Sequence, residues 1–319
     1  MKIIVTGAAG FIGSHLSEQL AKQGHEVIGV DNFDSYYARE LKQANAEDIQ
    51  QQGVKLSTID LAKDDLTNVL DGAEFIFHLA GQPGISAKIP FSDYVRNNLI
   101  VTQRLLEACK ILPNLICFTN IATSSVYGKH ATDSEDAPPQ PTSYYGVTKL
   151  AAEQLALAYH REQGLPACSL RLFSVCGPRE RPEKLYSRLI RCILEDEAFP
   201  LYEGSKDHSR SFTYVGDIIN GFLAVLHHPE VAIGEIFNIG TDVEHTTGAG
   251  INMIEKIMGK KAKFALQPKR PGDQLRTCAN IEKAGRLLGY EPQTTLEEAL
   301  TAQVKWYKNR IHGRIHFKS

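Results

Sequence analysis

The chain has 319 residues, 43% of them hydrophobic and 23% charged, with a formal net charge of −2. That is ample for a buried core in one large domain or two intimate ones, and ordinary for a soluble globular protein. The near-neutral balance argues against a broad nucleic-acid surface, and no run of six like charges offers a tail for a polyanion or a membrane.

The N-terminus is not expected to be a signal peptide, because Lys2 is followed by only three apolar residues before a glycine turn. The most apolar later stretch, Ile111 to Val126, is broken by Pro113, Asn114, Asn120 and a Thr-Ser-Ser cluster, so no membrane span is expected. Six cysteines lie far apart with no CxxC or His/Cys ligand spacing. Buried reduced thiols in a cytoplasmic protein are the expectation, and no metal is expected.

In chain order, the β-branched run Ile3-Ile4-Val5 leads into Thr-Gly-Ala-Ala-Gly-Phe-Ile-Gly, with glycines at 7, 10 and 13, and then into a helical pattern over 11–24. Strand, tight turn and helix in that order form a dinucleotide cradle. Gly7 makes the turn, Gly10 lets the backbone approach a pyrophosphate, Gly13 lets helix and strand pack, and Phe11 and Ile12 open the helix whose N–H groups face the phosphates. A second strand at 26–30 ends in Asp31, placed to receive the adenosine ribose hydroxyls and to repel a 2′-phosphate, so NAD is favoured over NADP. The polar segment Asn32 to Gly53 reads as a loop and short helix over the adenosine end, outside the core.

Further strands at 54–58, 74–78, 115–120 and 167–172 alternate with helices near 92–110 and 144–164, the signature of βαβ units and a parallel sheet. After residue 172 the pattern changes to a Pro-rich turn Gly177–Pro182, a helix near 184–196, a short strand near 199–202 and Arg210–Tyr214. Phe237–Gly240 reads as a strand returning to the sheet, and helices near 248–258, 281–288 and 296–309 would build a smaller lobe. The expected class is α/β, a Rossmann-type doubly wound parallel sheet with a smaller C-terminal α/β substrate lobe. The division is 1–173 with a returning segment of about 208–242, against 174–207 with 243–319.

The second constellation is Thr123-Ser124-Ser125 at the end of the fifth strand, with Tyr145 and Lys149 some twenty residues on. Tyr and Lys four apart share a helix face. A nearby ammonium and a bound nicotinamide cation both favour the phenolate, which lowers the Tyr145 pKa towards working pH. The phenolate can then take a proton from a substrate hydroxyl while Thr123 fixes that oxygen.

Together these residues resemble the extended short-chain dehydrogenase/reductase family, specifically its nucleotide-sugar epimerases and dehydratases. The likeness runs through nearly the whole chain. It takes in Asp60-Leu61 near the adenine, His78-Leu79-Ala80-Gly81, Tyr94…Asn98…Thr102, Arg171-Leu172-Phe173, Arg210…Asp217 and Arg270-Pro-Gly-Asp273. The resemblance implies tightly held NAD and a UDP- or TDP-sugar under the C-terminal lobe. It implies Arg210 and Arg270 on the diphosphate, Asp273 on the nucleoside, and a homodimer through a four-helix interface formed by the helices near 92–110 and 144–164. Dehydratases of the family carry Asp-Glu after the threonine, and decarboxylases a Glu; this chain has Ser124-Ser125, which hydrogen-bond without acid/base chemistry. A 4-epimerase working through a 4-keto sugar is the reading that remains.

Asp31-Asn-Phe-Asp-Ser-Tyr-Tyr37, Thr-Ser-Ser-Val-Tyr-Gly and Gly177–Pro182 resemble UDP-glucuronate 4-epimerases. That branch implies Arg181 on the uronate carboxylate with Ser174 close by. The chain departs from it in Arg-Pro-Glu-Lys, in Ser-Val-Cys and in Ser86, where an arginine is usual and Lys88 could substitute. UDP-glucose or UDP-N-acetylglucosamine is the alternative substrate, and a dehydratase or decarboxylase a remoter one. A non-catalytic NAD sensor is disfavoured by the intact Tyr and Lys. A simple alcohol dehydrogenase is disfavoured by a lobe built for a diphosphate.

Overall fold

The computed structural model describes residues 1–85, 89–269 and 274–315. Five strands, β1 (Lys2–Thr6), β2 (Glu26–Val30), β3 (Lys55–Ser57), β4 (Phe75–His78) and β5 (Cys117–Thr123), join Ala167–Leu172 and Ile236–Ile239 in one seven-stranded sheet. Its order is β3-β2-β1-β4-β5 followed by Ala167–Leu172 and then Ile236–Ile239, and every pairing is parallel. The strands are near-continuous apolar runs because helices cover both faces.

The helices are α1 (Phe11–Lys22), α2 (Arg39–Gln51), α3 (Thr67–Leu70), α4 (Phe91–Tyr94), α5 (Val101–Cys109), α6 (Tyr144–Gln163), α7 (Leu185–Leu194) and α8 (Val215–His227), with shorter or later ones after them. Period-2 alternation divides the core. Ile3, Val5, Phe75 and Phe77 pack with Leu16 and Leu20 of α1 and Ile218 and Phe222 of α8. Ile4, Ile76 and Phe118 pack on the other face with Leu105 and Leu106 of α5 and Ala156 of α6. The strand order reverses between β1 and β4, and the crevice beyond their carboxyl ends is where such sheets take ligands.

A third core lies under α7, where Tyr186, Leu189, Ile190 and Ile193 meet Ile251, Ile254, Leu300 and Val304. A four-stranded ribbon of two-residue strands (His130–Ala131, Ser209–Arg210, His245–Thr246, Arg276–Thr277) runs beside it.

Two expectations change. The segment 32–53 holds a 13-residue helix, longer than expected, and its Leu41, Ala46 and Ile49 are buried along with the polar Lys42 and Asn45. Few apolar residues hid an inward face that polar side chains complete; Asn45, for instance, donates to the Ala9 carbonyl at 3.0 Å. The helix expected over 92–110 is interrupted by a π-turn at Val95–Ile100 that carries Asn98.

Among the described residues, no helix is long and apolar enough to cross a membrane. Nor is any group of three or more His, Cys, Asp or Glu residues placed to hold a metal ion.

Candidate active site

At the crevice, Gly7 turns with φ +70°, and a Cβ there would sit 3.0 Å from the Ala80 amide nitrogen. A Cβ at Gly13 would meet the Gly7 carbonyl oxygen at 2.2 Å. Both neighbours are backbone and cannot swing away, so close packing of β1, α1 and the turn after β4 requires glycine. Gly10 caps α1 with no side-chain hydrogen bond, so the first-turn amides opened by Phe11 and Ile12 face the crevice.

Asp31 is buried, and its carboxylate accepts from the Ala9 amide (3.1 Å) and the Phe33 amide (2.8 Å), with the Lys42 ammonium 3.5 Å away. Asn32 is spent locally, accepting from the Asp34 amide at 3.0 Å. Asp60 pairs with Arg96 at 2.6 Å, and the Leu61 carbonyl takes Arg104 at 2.6 Å, so both stand on a braced turn after β3. Leu79, Ala80 and Gly81 follow β4. A Cβ at Gly81 would lie 2.7 Å from the Asn98 side-chain oxygen. Asn98 receives the Gln82 amide at 2.7 Å and donates to Thr148 on α6 at 3.0 Å.

Thr123 ends β5 and caps the short turn Ser124–Tyr127, accepting from the Ser125 amide at 3.2 Å. Ser143 caps α6 through the Gly146 amide, and Gly164 closes it in the left-handed region. That frame brings Tyr145 to Thr123, with which it shares a side-chain hydrogen bond, and places Arg181 near enough for its charge to act on the phenol.

On balance the protein's own groups do not lower the Tyr145 pKa. Burial raises it above its ordinary value, against the smaller downward pulls of Thr123 and Arg181, and Lys149 is not among the groups that act on it. The phenolate loses more hydration than the protein's own charges return. Burial also pulls the Lys149 ammonium down to about 8, opposed by Glu153 one helical turn on.

Arg181 lies over the Tyr36 ring (5.7 Å to the centroid) and 2.7 Å from Glu183. Tyr36 and Arg181 both approach Gly84, whose carbonyl accepts from Tyr94 at 2.7 Å. Ser124 and Ser125 are buried beside Thr123, and Ser174 is half-buried with its carbonyl taking the Thr213 amide. Arg210 stands on the small ribbon and donates to the Gln274 carbonyl at 2.7 Å; Gln274 reaches the Gly128 carbonyl at 2.9 Å. Lys88, Arg270 and Asp273 lie outside the described residues.

Sequence reasoning gave no role of their own to Tyr36 and Lys42, which it read only as part of a resembling segment, and missed Glu153. Tyr36-Tyr37 was an aromatic pair in a polar segment, and Glu153 stands four residues beyond Lys149, so both left a signal.

Beneath the cradle, His78 is fully enclosed, 2.9 Å from the Thr6 hydroxyl and 3.0 Å from that of Thr102. Burial holds it down to about 3. His15 on α1 meets the Pro178 carbonyl at 2.9 Å and is held down to about 4 by burial first and Arg179 second. Both folded values lie below the ordinary 6.5, so the stability these neutral rings contribute is complete above about pH 6.5 and is lost as pH falls towards 4. Urea unfolding at pH 5 should show each histidine costing about 2 kcal/mol relative to pH 7.5. His15→Gln should flatten that slope; an unchanged slope would mean the ring is hydrated in solution.

A model of the NAD dependent epimerase/dehydratase family matches residues 3–240. A Bacillus subtilis protein described as an uncharacterized UDP-glucose epimerase, YtcB, is 39% identical over 98% of this chain and 100% of its own length. UDP-glucuronate 4-epimerase 4 of Arabidopsis thaliana is 34% identical over 98% of this chain and 76% of its own. The crystal structure of UDP-glucuronic acid 4-epimerase from Bacillus cereus, in complex with UDP-glucuronic acid and NAD, is 40% identical with a TM-score of 0.92, covering 97% of this chain and 99% of that one. Because the family match runs from β1 to the last strand of the sheet, and the relatives exceed 30% identity along nearly all of the chain, this protein belongs to the NAD dependent epimerase/dehydratase family.

Proposed function

We propose that the chain is an NAD-dependent UDP-sugar 4-epimerase whose substrate is UDP-glucuronate, converted to UDP-galacturonate through a 4-keto sugar. The observation that carries this reading is Arg181 held against Tyr36 and acting on Tyr145, beside a Thr123-Ser124-Ser125 turn that has no carboxylate.

NAD fits the residues present. The Gly7-Gly10-Gly13 turn has no room for side chains, α1 presents uncapped amides, and the side-chain Nε2 of Gln82 is buried with no partner among the described residues. Asp31 and Asn32 would stand at the ribose, Asp60 and Leu61 at the adenine, and Leu79, Ala80, Gly81 and Asn98 along the cofactor's nicotinamide half, with Tyr145 and Lys149 completing its site. Bound NAD supplies oxidising and then reducing equivalents at the sugar C4 and a positive charge near Tyr145. Gly13→Ala should leave purified protein without bound cofactor, its NAD affinity down by more than about a hundredfold; a full complement of NAD would discard the cradle assignment.

Tyr145 takes the proton of the C4 hydroxyl and returns it once the 4-keto sugar has turned, while Thr123 holds that oxygen. Thr123, Arg181 and the cation of bound NAD are the groups that favour the phenolate. Ser124 and Ser125 can hydrogen-bond the sugar and cannot remove water from it. Arg181, with Ser174, takes the C5 carboxylate in a charge-assisted bond and holds it out of the orientation in which a β-keto acid loses CO₂. Arg210 stands at the diphosphate; Lys88, Arg270 and Asp273 complete the proposal from sequence alone. The sheet with residues 1–173 and about 208–242 carries the cofactor, and the remaining lobe the UDP-sugar.

Phe91, Ile100, Tyr144 and Val147 are exposed on the α4–α5 and α6 surfaces, and this supports a homodimer through a four-helix interface. Light scattering should give twice the chain mass. Five buried cysteines kept as thiols suit the cytoplasm.

The test is to incubate protein and UDP-glucuronate without added NAD and follow the sugar by proton NMR. UDP-galacturonate is expected. A pentose product would mean decarboxylation, and an unchanged spectrum would move the assignment to a neutral UDP-hexose. That second reading has one observation in its favour: Arg181 already has the Glu183 carboxylate at 2.7 Å. A UDP-glucose 4-epimerase from Thermotoga maritima, solved with UDP-glucose, has the same fold at 28% identity and a TM-score of 0.86.

A further inference from the structure

Residues 177–181 form a strap whose groups are fixed to both lobes of the protein. The Gly177 amide donates to Gln303 at 3.1 Å. The Pro178 carbonyl meets His15 of α1. The Arg179 guanidinium crosses to the sheet's helices, 2.6 Å from Glu18 on α1 and 3.0 Å from Asp48 on α2, with its side chain only 9% exposed. Glu180 turns the opposite way into the small lobe, where Gln303 donates to it at 2.6 Å and the Ser187 hydroxyl at 3.1 Å. Only then does Arg181 reach the site.

Arg179 holds φ +67°, the left-handed region that a residue with a long side chain seldom occupies. A conformation of that kind persists where surrounding contacts impose it. The two acids on α1 and α2 and the Glu180 anchor do so here. The strain has a use: it sends Arg179 and Glu180 to opposite sides and leaves Arg181 a single direction.

We propose that Arg179 and Glu180 are positioning residues that aim Arg181, so that the enzyme's preference for a uronate over a neutral hexose depends on a clamp between the two lobes. This rests on the reading that Arg181 meets the substrate carboxylate. α1 carries the cofactor cradle at its other end, so the same helix that receives the dinucleotide also fixes the arm that selects the sugar.

The test compares binding of UDP-glucuronate, UDP-glucose and UDP to NAD-loaded protein by calorimetry, for wild type, Arg179→Gln, Arg179→Lys and Arg181→Gln. Arg179→Gln should weaken UDP-glucuronate about ten- to hundredfold, as misplacement of a substrate-orienting group does. UDP and UDP-glucose should be unchanged, and Arg179→Lys should restore part of the loss. Arg179→Gln with Arg181→Gln should lose no more than Arg181→Gln alone, since both act through one contact. Glu18→Gln cuts the clamp from its exposed side and should reproduce the effect, which guards against a misfolded Arg179 variant. Equal weakening of all three ligands, or additive losses in the double variant, would overturn the clamp. A wild type that does not prefer UDP-glucuronate to UDP-glucose would instead remove the carboxylate reading beneath it.

Discussion

Tyr145→Phe should lower turnover roughly a hundred- to ten-thousandfold while leaving bound NAD and UDP-sugar affinity near wild type. The variant keeps the ring, which lies 6.5 Å from that of Tyr94, and removes only the oxygen that bonds to Thr123. Because burial raises the phenol's pKa in the protein by itself, turnover should climb with pH as the phenolate is populated. With cofactor bound, that rise should move to lower pH, since an adjacent cation favours the phenolate. Stopped-flow absorbance of the reduced nicotinamide would separate the proton step from substrate turning. A Tyr145→Phe enzyme with wild-type kcat would remove the proposed base.

Glu153→Ala should be the most destabilising single change in the nucleotide-binding half. Arg171 is 1% exposed and Glu153 fully buried. Their bond is bidentate, at 2.9 Å and 2.7 Å, and the Arg171 guanidinium also donates to Tyr127 at 2.8 Å while stacking over its ring. Tyr127 passes the network to Asn238 at 2.8 Å, so α6, the turn after β5 and the last two strands of the sheet are tied through one ion pair. Removing the carboxylate leaves a guanidinium without a counter-charge in the core, which costs about 3–5 kcal/mol. Glu153→Leu with Arg171→Met should recover most of that, because an apolar pair of similar volume replaces a buried ion pair at little cost. Urea unfolding decides it: a double variant as unstable as Glu153→Ala would show that packing, and not charge, was lost.

The sheet was legible because its strands obey one rule. Runs such as Ile3-Ile4-Val5 and Phe75-Ile76-Phe77 are apolar on both faces, which only a strand between two helical layers tolerates. The glycine turn and the Thr123, Tyr145 and Lys149 set were legible because their spacing is itself the chemistry. Local pattern did not reveal what is joined across distance. Glu153 and Arg171 sit on different elements, and nothing periodic links them. Tyr36 lies in a stretch whose polarity points to solvent, yet its ring is covered by Arg181. The strap at 177–181 has no repeat at all, since some of its residues turn to Gln303 and others to the helices of the sheet. The rise of the Tyr145 pKa in the protein alone was hidden for a related reason: spacing reports which charges are near but not how much water the fold removes.

The His78 contacts also set the sense of a relay. The Thr102 hydroxyl is committed to the Asn98 carbonyl at 2.6 Å, so it can only accept from the ring, and the ring proton must sit on Nε2. Thr6 accepts from the Ala80 amide at 3.0 Å and turns its own hydrogen to the bare Nδ1. Every donor from Ala80 to Asn98 therefore points one way, from the cofactor turn towards the π-turn. Adding a proton at Nδ1 would set two hydrogens against each other and reverse a hydroxyl that the Ala80 turn needs in place. The imidazole is locked as a single tautomer, a one-way spacer between the turn after β4 and the π-turn that carries Asn98.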